Sequence, residues 1–233
     1  MSVFVPLLRK ESKALFSSPV AWALIAVFLL LMGFSFAATL FLTKSATLIH
    51  VLFQASVLLL LIIPVITMRL FAEERRQGTL ELLLTAPVSE IEIVLAKWLA
   101  SFAVIVAMLA PTLLYVVILG QFSDPDLGPI YSGYLGLLLL AAGLLAVGLA
   151  ISAMTANQVV AATISLGVFL LLWMVDSLGA LLPDPYDQIV TNASLLAHFT
   201  PFATGALYLS DLGFFIALTL FGLFLSLRSL ERR

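Results

Sequence analysis

The sequence predicts an all-α integral membrane protein with six transmembrane helices. Of its 233 residues, 63% are hydrophobic and only 10% are charged, whereas about half of a soluble domain is apolar. Six apolar stretches each approach the roughly 20 residues that cross a hydrocarbon core as a helix. They cover residues 20–42, 51–68, 93–119, 133–153, 158–176 and 207–227. We expect residues 1–233 to form a single transmembrane domain.

Residues 1–18 are predicted to form an elbow helix in the membrane interface. Apolar Leu7 and Leu8 alternate there with basic Arg9, Lys10 and Lys13, a pattern typical of interfacial helices. A frayed cationic tail is the alternative. A signal peptide is disfavoured, because the apolar run at 20–42 exceeds the 7 to 15 residues of a cleavable signal.

The positive-inside rule orients the spans. With both termini in the cytoplasm, 10 of the 11 Lys and Arg residues fall on the cytoplasmic side, and only Lys44 falls outside. All seven Glu residues also fall inside, while all six Asp residues fall outside. We expect an integral plasma-membrane protein of the bacterial inner membrane.

Several spans carry features that affect packing. Gly136, Gly143 and Gly148 in the fourth span predict a close approach of another helix. Pro64 and Pro111 lie inside the second and third spans, where proline removes a backbone hydrogen bond and favours a kink. Residues 183–206 mix polar and apolar types, so we expect a partly embedded external segment before the last span.

The charged residues are concentrated between Arg69 and Lys97, which hold nine of the chain's 24. Threading this stretch through lipid would cost on the order of 20 to 30 kcal/mol, at about 2.5 to 3.5 kcal/mol per charge. Residues 69–92 must therefore lie in water or against another protein. The alternative interpretation is a solvated loop whose charges only fix the topology.

Helix signals divide this cytoplasmic segment. Gly78 interrupts the second span, Thr79 is placed to cap a short helix carrying four leucines, and Pro87 ends it. Ser89 and Glu92 then match a capping box that begins the third span. The pattern predicts a short surface helix held between two membrane helices.

The series from Glu73 to Ser89, EERRQGTLELLLTAPVS, followed by Lys97, resembles the cytoplasmic signature of type-2 ABC transporter permeases. Lys10-Glu11, Ser18-Pro19 and the later His198-Phe199 resemble the gliding-motility and copper-enzyme-maturation branch, although Thr204 stands where that branch often has a basic residue. In this family the segment forms a coupling helix that docks on an ATPase subunit. The resemblance implies docking residues Glu73, Glu74, Arg75, Arg76, Gly78, Thr79, Glu81, Leu82, Leu83 and Pro87.

The sequence lacks the motifs of ATP binding, metalloprotease activity and serine-hydrolase activity. The sequence contains no GxxxxGK[ST] phosphate loop, no HExxH, no GxSxG and no cysteine, and we expect His50 and His198 to be interfacial residues rather than metal ligands or bases. No catalytic residue, metal site or nucleic-acid contact is predicted. The centres of the spans carry no charge, which disfavours an ion-coupled carrier.

The predicted function is that of a membrane-spanning permease subunit of an ATP-driven ABC transporter, with export as the expected direction. The resemblance implies ABC ATPase subunits that bind the ATP and Mg²⁺, a second identical or related permease subunit, and surrounding membrane lipid; an external-facing accessory protein is a further expected partner. One alternative is a mechanotransmitting or scaffold subunit that relays force through residues 183–210. The other is a channel or carrier without an ATPase.

Overall fold

The computed structural model describes residues 4–43, 47–79, 88–122, 125–179 and 190–231. Within these ranges the chain forms ten α-helices and no β-strand. Six described segments are long and apolar enough to cross a membrane: Pro19–Phe41, Ile49–Gln77, Glu90–Gln121, Leu127–Met154, Gln158–Ser177 and Leu209–Glu231. The predicted all-α fold with six spans is confirmed.

The first half of the chain begins with an amphipathic helix and contains three spans. In chain order its helices are α1 Phe4–Phe16, α2 Pro19–Thr43, α3 Ile49–Thr67, α4 Ala72–Gln77, α5 Glu90–Leu109 and α6 Leu113–Phe122. In α1, Leu7 and Glu11 are buried while Arg9, Lys10 and Lys13 are exposed. The apolar side of α1 packs mainly against the first turns of α5, where Ile93 and Val94 are buried.

The second half supplies the central helix of the bundle. Its helices are α7 Leu127–Met154, α8 Gln158–Gly179, α9 Leu195–Thr204 and α10 Leu209–Glu231. The apolar window of α7 is 72% buried, against 17% for that of α8. Helix α7 is therefore the core of the bundle, and α8 presents most of its surface to the surroundings.

Small residues let α7 contact its neighbours closely, as the sequence predicts. The position that a Cβ on Gly148 would occupy is 2.5 Å from Oγ1 of Thr67 on α3, and the corresponding point on Gly136 is 2.6 Å from Cβ of Phe202 on α9. On α10, a Cβ on Gly222 would lie 2.5 Å from the carbonyl carbon of Ala146. These glycines set the interhelical spacing.

The two span prolines behave differently. Pro64 lies inside α3, which continues as helix to Thr67. Pro111 lies in a short 3-10 turn, Ala110–Thr112, that separates α5 from α6. The third span is consequently built from two α-helices with a change of winding between them.

The described part of the predicted external segment, residues 190–206, contains the short helix α9. The Ser194 hydroxyl caps its start by accepting from the Ala197 amide, and Gly205 ends it with a positive φ of 98°. Phe199 and Phe202 are fully buried against the bundle. A short helix packed on the bundle is therefore present in this segment. Its partly embedded external position stays a prediction, and residues 183–189 lie outside the described ranges.

Candidate coupling site

The charged segment lies at one end of the bundle, which we call the charged end. There α3 finishes at Thr67, a turn leads into α4, and α5 begins at Glu90. Gly78 closes α4 in the left-handed conformation, at φ 70°, which strongly favours glycine. Of the predicted docking residues, Glu81, Leu82, Leu83 and Pro87 lie outside the described residues.

A serine on the central helix fixes the turn before α4. The Ser152 hydroxyl accepts hydrogen bonds from the backbone amides of Phe71 and Ala72, at 3.2 and 3.1 Å. It also lies 3.4 Å from the carbonyl oxygen of Met68, to which it donates. Because these amides precede the first complete turn of α4, the hydroxyl satisfies donors that have no partner inside the helix. Helix α4 is thereby attached to α7.

A buried lysine joins three elements of the charged end. Lys97 of α5 has a side chain only 2% exposed, and its Nζ donates to Glu11 Oε2 of α1 at 3.0 Å and to Glu74 Oε1 of α4 at 2.7 Å. The ring of Phe71 lies 5.3 Å from the same Nζ. A buried ammonium is stable only when paired and hydrogen-bonded. We call Glu11, Glu74 and Lys97 the buried triad.

A second ion pair lies beside the buried triad. The Arg69 guanidinium donates from Nε to Glu73 Oε2 at 3.0 Å and from Nη1 to the Ser18 hydroxyl at 3.2 Å. Ser18 immediately precedes α2, so Arg69 connects the end of α3 to the start of the first span. Both side chains are partly exposed, at 36% and 26%, so water and salt screen this pair more than they screen Lys97.

The predicted docking residues separate into an inner and an outer group. Glu73 and Glu74 accept hydrogen bonds from Arg69 and Lys97, so their carboxylates are held within the protein. Arg75 is half-buried, and its Nε has no hydrogen-bond partner among the described residues. The outer group is exposed and consists of Arg76, Gly78 and Thr79.

Two local predictions concern helix ends in this segment. Ser89 and Glu92 form the expected capping box, in which each side chain accepts from the other residue's backbone amide. The Thr79 hydroxyl donates to the Glu74 carbonyl at 3.2 Å, and its predicted role as the cap of a following helix stays a prediction. The bond closes the C-terminal end of α4, and Leu80–Pro87 lie outside the described residues.

The opposite end of the bundle contains a polar pair that the sequence did not predict. His198 Nδ1 of α9 lies 2.7 Å from Asp211 Oδ1 of α10, and His198 Nε2 lies 3.1 Å from the Asn192 carbonyl oxygen. The imidazole also stacks on Phe214, with ring centroids 4.0 Å apart. These contacts join α9 to the last span, and the prediction that His198 is an interfacial residue rather than a metal ligand or base did not name them.

No cluster of three or more His, Cys, Asp or Glu suited to a metal occurs in the part of the chain that the structure describes. The fold and the charged end define a polytopic helical membrane protein whose short polar segment is fixed to several spans at once. Comparison with known families gives the more particular assignment.

Residues 38–227, well over half of the chain, match the family model described as ABC-2 family transporter protein. The chain therefore belongs to the ABC-2 transporter family. It is an integral membrane permease subunit of an ABC transporter and is itself non-catalytic. No curated protein matches the chain.

Proposed function

We propose that this permease couples ATP hydrolysis in separate ABC ATPase subunits to substrate movement across a bacterial inner membrane. The charged end would face the cytoplasm, as the distribution of Lys and Arg favours. ATP and Mg²⁺ would bind to the ATPase subunits. The observation that carries the proposal is the buried triad, because it ties α4 to two other elements at the position where an ATPase would dock.

The proposed force path begins at the exposed outer group. An ATPase pressing on Arg76 and the residues after it would displace α4. The Glu74–Lys97 contact would pass that displacement to α5, the Lys97–Glu11 contact would pass it to α1, and the Ser152 hydroxyl would pass it to α7. Short charge-assisted hydrogen bonds in a buried setting make this linkage stiff. The spans would then move as a group.

We propose export as the direction of transport and a pair of identical or related permease subunits as the functional unit. Residues near the two ends of the chain, Lys10-Glu11 and His198-Phe199 among them, support placement near the gliding-motility and copper-enzyme-maturation branch. A force-transmitting subunit without transport remains the rival function. It predicts ATP turnover without substrate flux in reconstituted vesicles, whereas a permease gives both.

The docking proposal is tested by co-expressing the chain with an ABC ATPase subunit encoded in the same genome. Glu81→Lys and Leu83→Asp alter the predicted docking helix, and Arg76→Glu alters the exposed outer group. We expect each variant to lower recovery of the complex and permease-stimulated ATP turnover. A pulldown without any nucleotide-binding protein would instead support an ATPase-independent channel.

Glu231→Lys is the matched control for charge reversal. Glu231 is about half exposed, at 52%, and lies near the same end of the bundle on α10, where it contacts Arg228. The docking proposal expects this variant to assemble and turn over ATP normally. Equal losses for Glu231→Lys and Arg76→Glu, or none in any docking variant, would remove the assigned coupling role.

A further inference from the structure

A cavity of about 250 Å³ lies at the charged end between α1, the start of α2, the end of α3, α4 and α5. Its polar wall contains Ser18, Gln77 and five charged residues, Glu11, Arg69, Glu73, Glu74 and Lys97. Its apolar wall includes Leu24, Val65 and Val104. From Lys97 to Val104 the cavity extends roughly 10 Å along α5, at about 1.5 Å per residue.

Along the spans, the cavity lies at the depth expected for the interface between membrane and water. Ser18 directly precedes the first span, and Arg69 follows the last residue of α3 by two positions. Polar groups therefore line the part nearest the chain's water-exposed segment, and apolar groups line the part that continues between the spans. This division matches a lipid, whose headgroup and first acyl carbons meet at that level.

The charges of the cavity select a headgroup. Three carboxylates against two cations leave one net negative charge, which favours a ligand with a cationic group. Glu73 has the most exposed of the three carboxylate side chains, at 26% against 21% for Glu74 and 8% for Glu11. Each of its oxygens accepts one hydrogen bond, from Arg69 and from Gln77, and a carboxylate has about four acceptor positions, so a further donor can be accommodated.

Arg69 provides the complementary donors. A guanidinium has five N–H groups, and the hydrogen bonds of Arg69 to Glu73 and Ser18 occupy two of them. The remaining N–H groups suit a phosphate, which arginine binds well. The wall thus combines a spare acceptor for an ammonium with spare donors for a phosphate.

We propose that this cavity binds an aminophospholipid, with the primary ammonium donating to Glu73 and the phosphate accepting from Arg69. The acyl chains leave between α2 and α3 along Leu24 and Val65. A trimethylammonium headgroup has no N–H to donate, and a glycerol headgroup has no cation. Phosphatidylethanolamine is therefore preferred over phosphatidylcholine and phosphatidylglycerol. The proposal does not depend on ATPase coupling.

The test measures lipid retention by native mass spectrometry after the full chain is equilibrated with equal amounts of these three lipids in mild detergent. We expect about tenfold greater retention of phosphatidylethanolamine, the value of one charge-assisted hydrogen bond. Val65→Trp fills the cavity and abolishes the preference. Val117→Trp, at a residue 59% exposed on α6, is the matched control and leaves it intact.

Arg69→Gln provides a second variant if Val65→Trp does not fold, and it lowers retention of phosphatidylethanolamine without removing the apolar wall. Soluble phosphoethanolamine distinguishes a lipid from a free headgroup. Failure of millimolar phosphoethanolamine to displace the lipid supports the lipid site, and full displacement overturns it in favour of a soluble ligand. Equal retention of the three lipids by the unmodified chain also overturns the proposal.

Discussion

Lys97→Met tests the energetic importance of the buried triad. Lys97 donates to Glu11 at 3.0 Å and to Glu74 at 2.7 Å, and its side chain is 2% exposed. Methionine fills similar volume but removes the buried cation that Glu11 and Glu74 share. Removal of one partner from a buried ion pair costs about 3 to 5 kcal/mol, chiefly because the remaining charge stays buried.

The part of this energetic cost that falls on each carboxylate depends on how exposed that carboxylate is. The Glu11 side chain is 8% exposed and that of Glu74 is 21% exposed, so water compensates Glu74 better than Glu11. We therefore expect the loss to lie mainly at the α1 contact. With about 2 to 4 °C per kcal/mol for a chain of this size, the apparent melting temperature falls by roughly 6 to 20 °C.

Lys10→Met is the matched control, because Lys10 contacts the same carboxylate from outside. Its Nζ lies 3.5 Å from Glu11 Oε1, and its side chain is 63% exposed. An exposed pair contributes about 0 to 1 kcal/mol, so little change is expected. The assay is the fraction of monodisperse protein in detergent after heating, followed by size exclusion.

A combined variant separates charge imbalance from lost packing. Glu11→Gln and Glu74→Gln, added to Lys97→Met, remove the uncompensated charges and restore most of the lost melting temperature, because neutral replacements of whole buried ion sets are well tolerated. Equal melting shifts for Lys97→Met and Lys10→Met would refute the reasoning. A triple variant no more stable than Lys97→Met would refute it as well.

Three further predictions concern packing and hydrogen bonds. For each variant the measurement is the apparent melting temperature in detergent. Gly222→Ala lowers the free energy of unfolding by about 1 to 3 kcal/mol because the added Cβ would clash with the α7 backbone. Gly213→Ala is the control, because a Cβ there would have nothing within 4 Å, and it should leave stability unchanged. Identical melting shifts for the two variants would contradict the close contact at Gly222. Ser152→Ala lowers the free energy of unfolding by about 1 to 3 kcal/mol because two backbone amides lose their acceptor. Its control is Ser165→Ala, whose buried hydroxyl has no partner among the described residues and whose loss leaves stability nearly unchanged. Destabilisation by Ser165→Ala alone would contradict the role assigned to Ser152. His198→Phe keeps the ring stacked on Phe214 but lowers the free energy of unfolding by about 1 to 3 kcal/mol, because the Asp211 carboxylate loses its hydrogen-bond partner. An unchanged melting temperature would show that the His198–Asp211 bond does not stabilise the fold.

The sequence predicted those features whose signals are local. The six spans follow from apolar runs of sufficient length, and α8 starts at Gln158 as expected, whereas α7 starts at Leu127, six residues before the predicted position. The capping box at Ser89 and Glu92 also depends only on residues three apart. The close contacts of α7 follow from its glycines, although the sequence could not name the helices that approach them.

The buried triad was not predicted, because its partners are distant in the chain. Lys97 is separated by 86 residues from Glu11 and by 23 from Glu74. A signal was present: a single lysine within an apolar helix is costly unless a carboxylate meets it. The sequence offers several carboxylates, and only the packing of α1 against α5 selects Glu11.

The position of the buried triad would allow the proposed docking segment to act as a rigid link as well. In open water such ion pairs would be weak and mobile, whereas at the bilayer centre the charges would be costly. At the end of the bundle, Lys97 is enclosed by protein while Arg76, one turn beyond the start of α4, remains exposed. Variants of the inner group should therefore lower stability, whereas variants of the outer group should change assembly at unchanged stability. A stable Lys97→Met chain that fails to bind its ATPase would reverse that division.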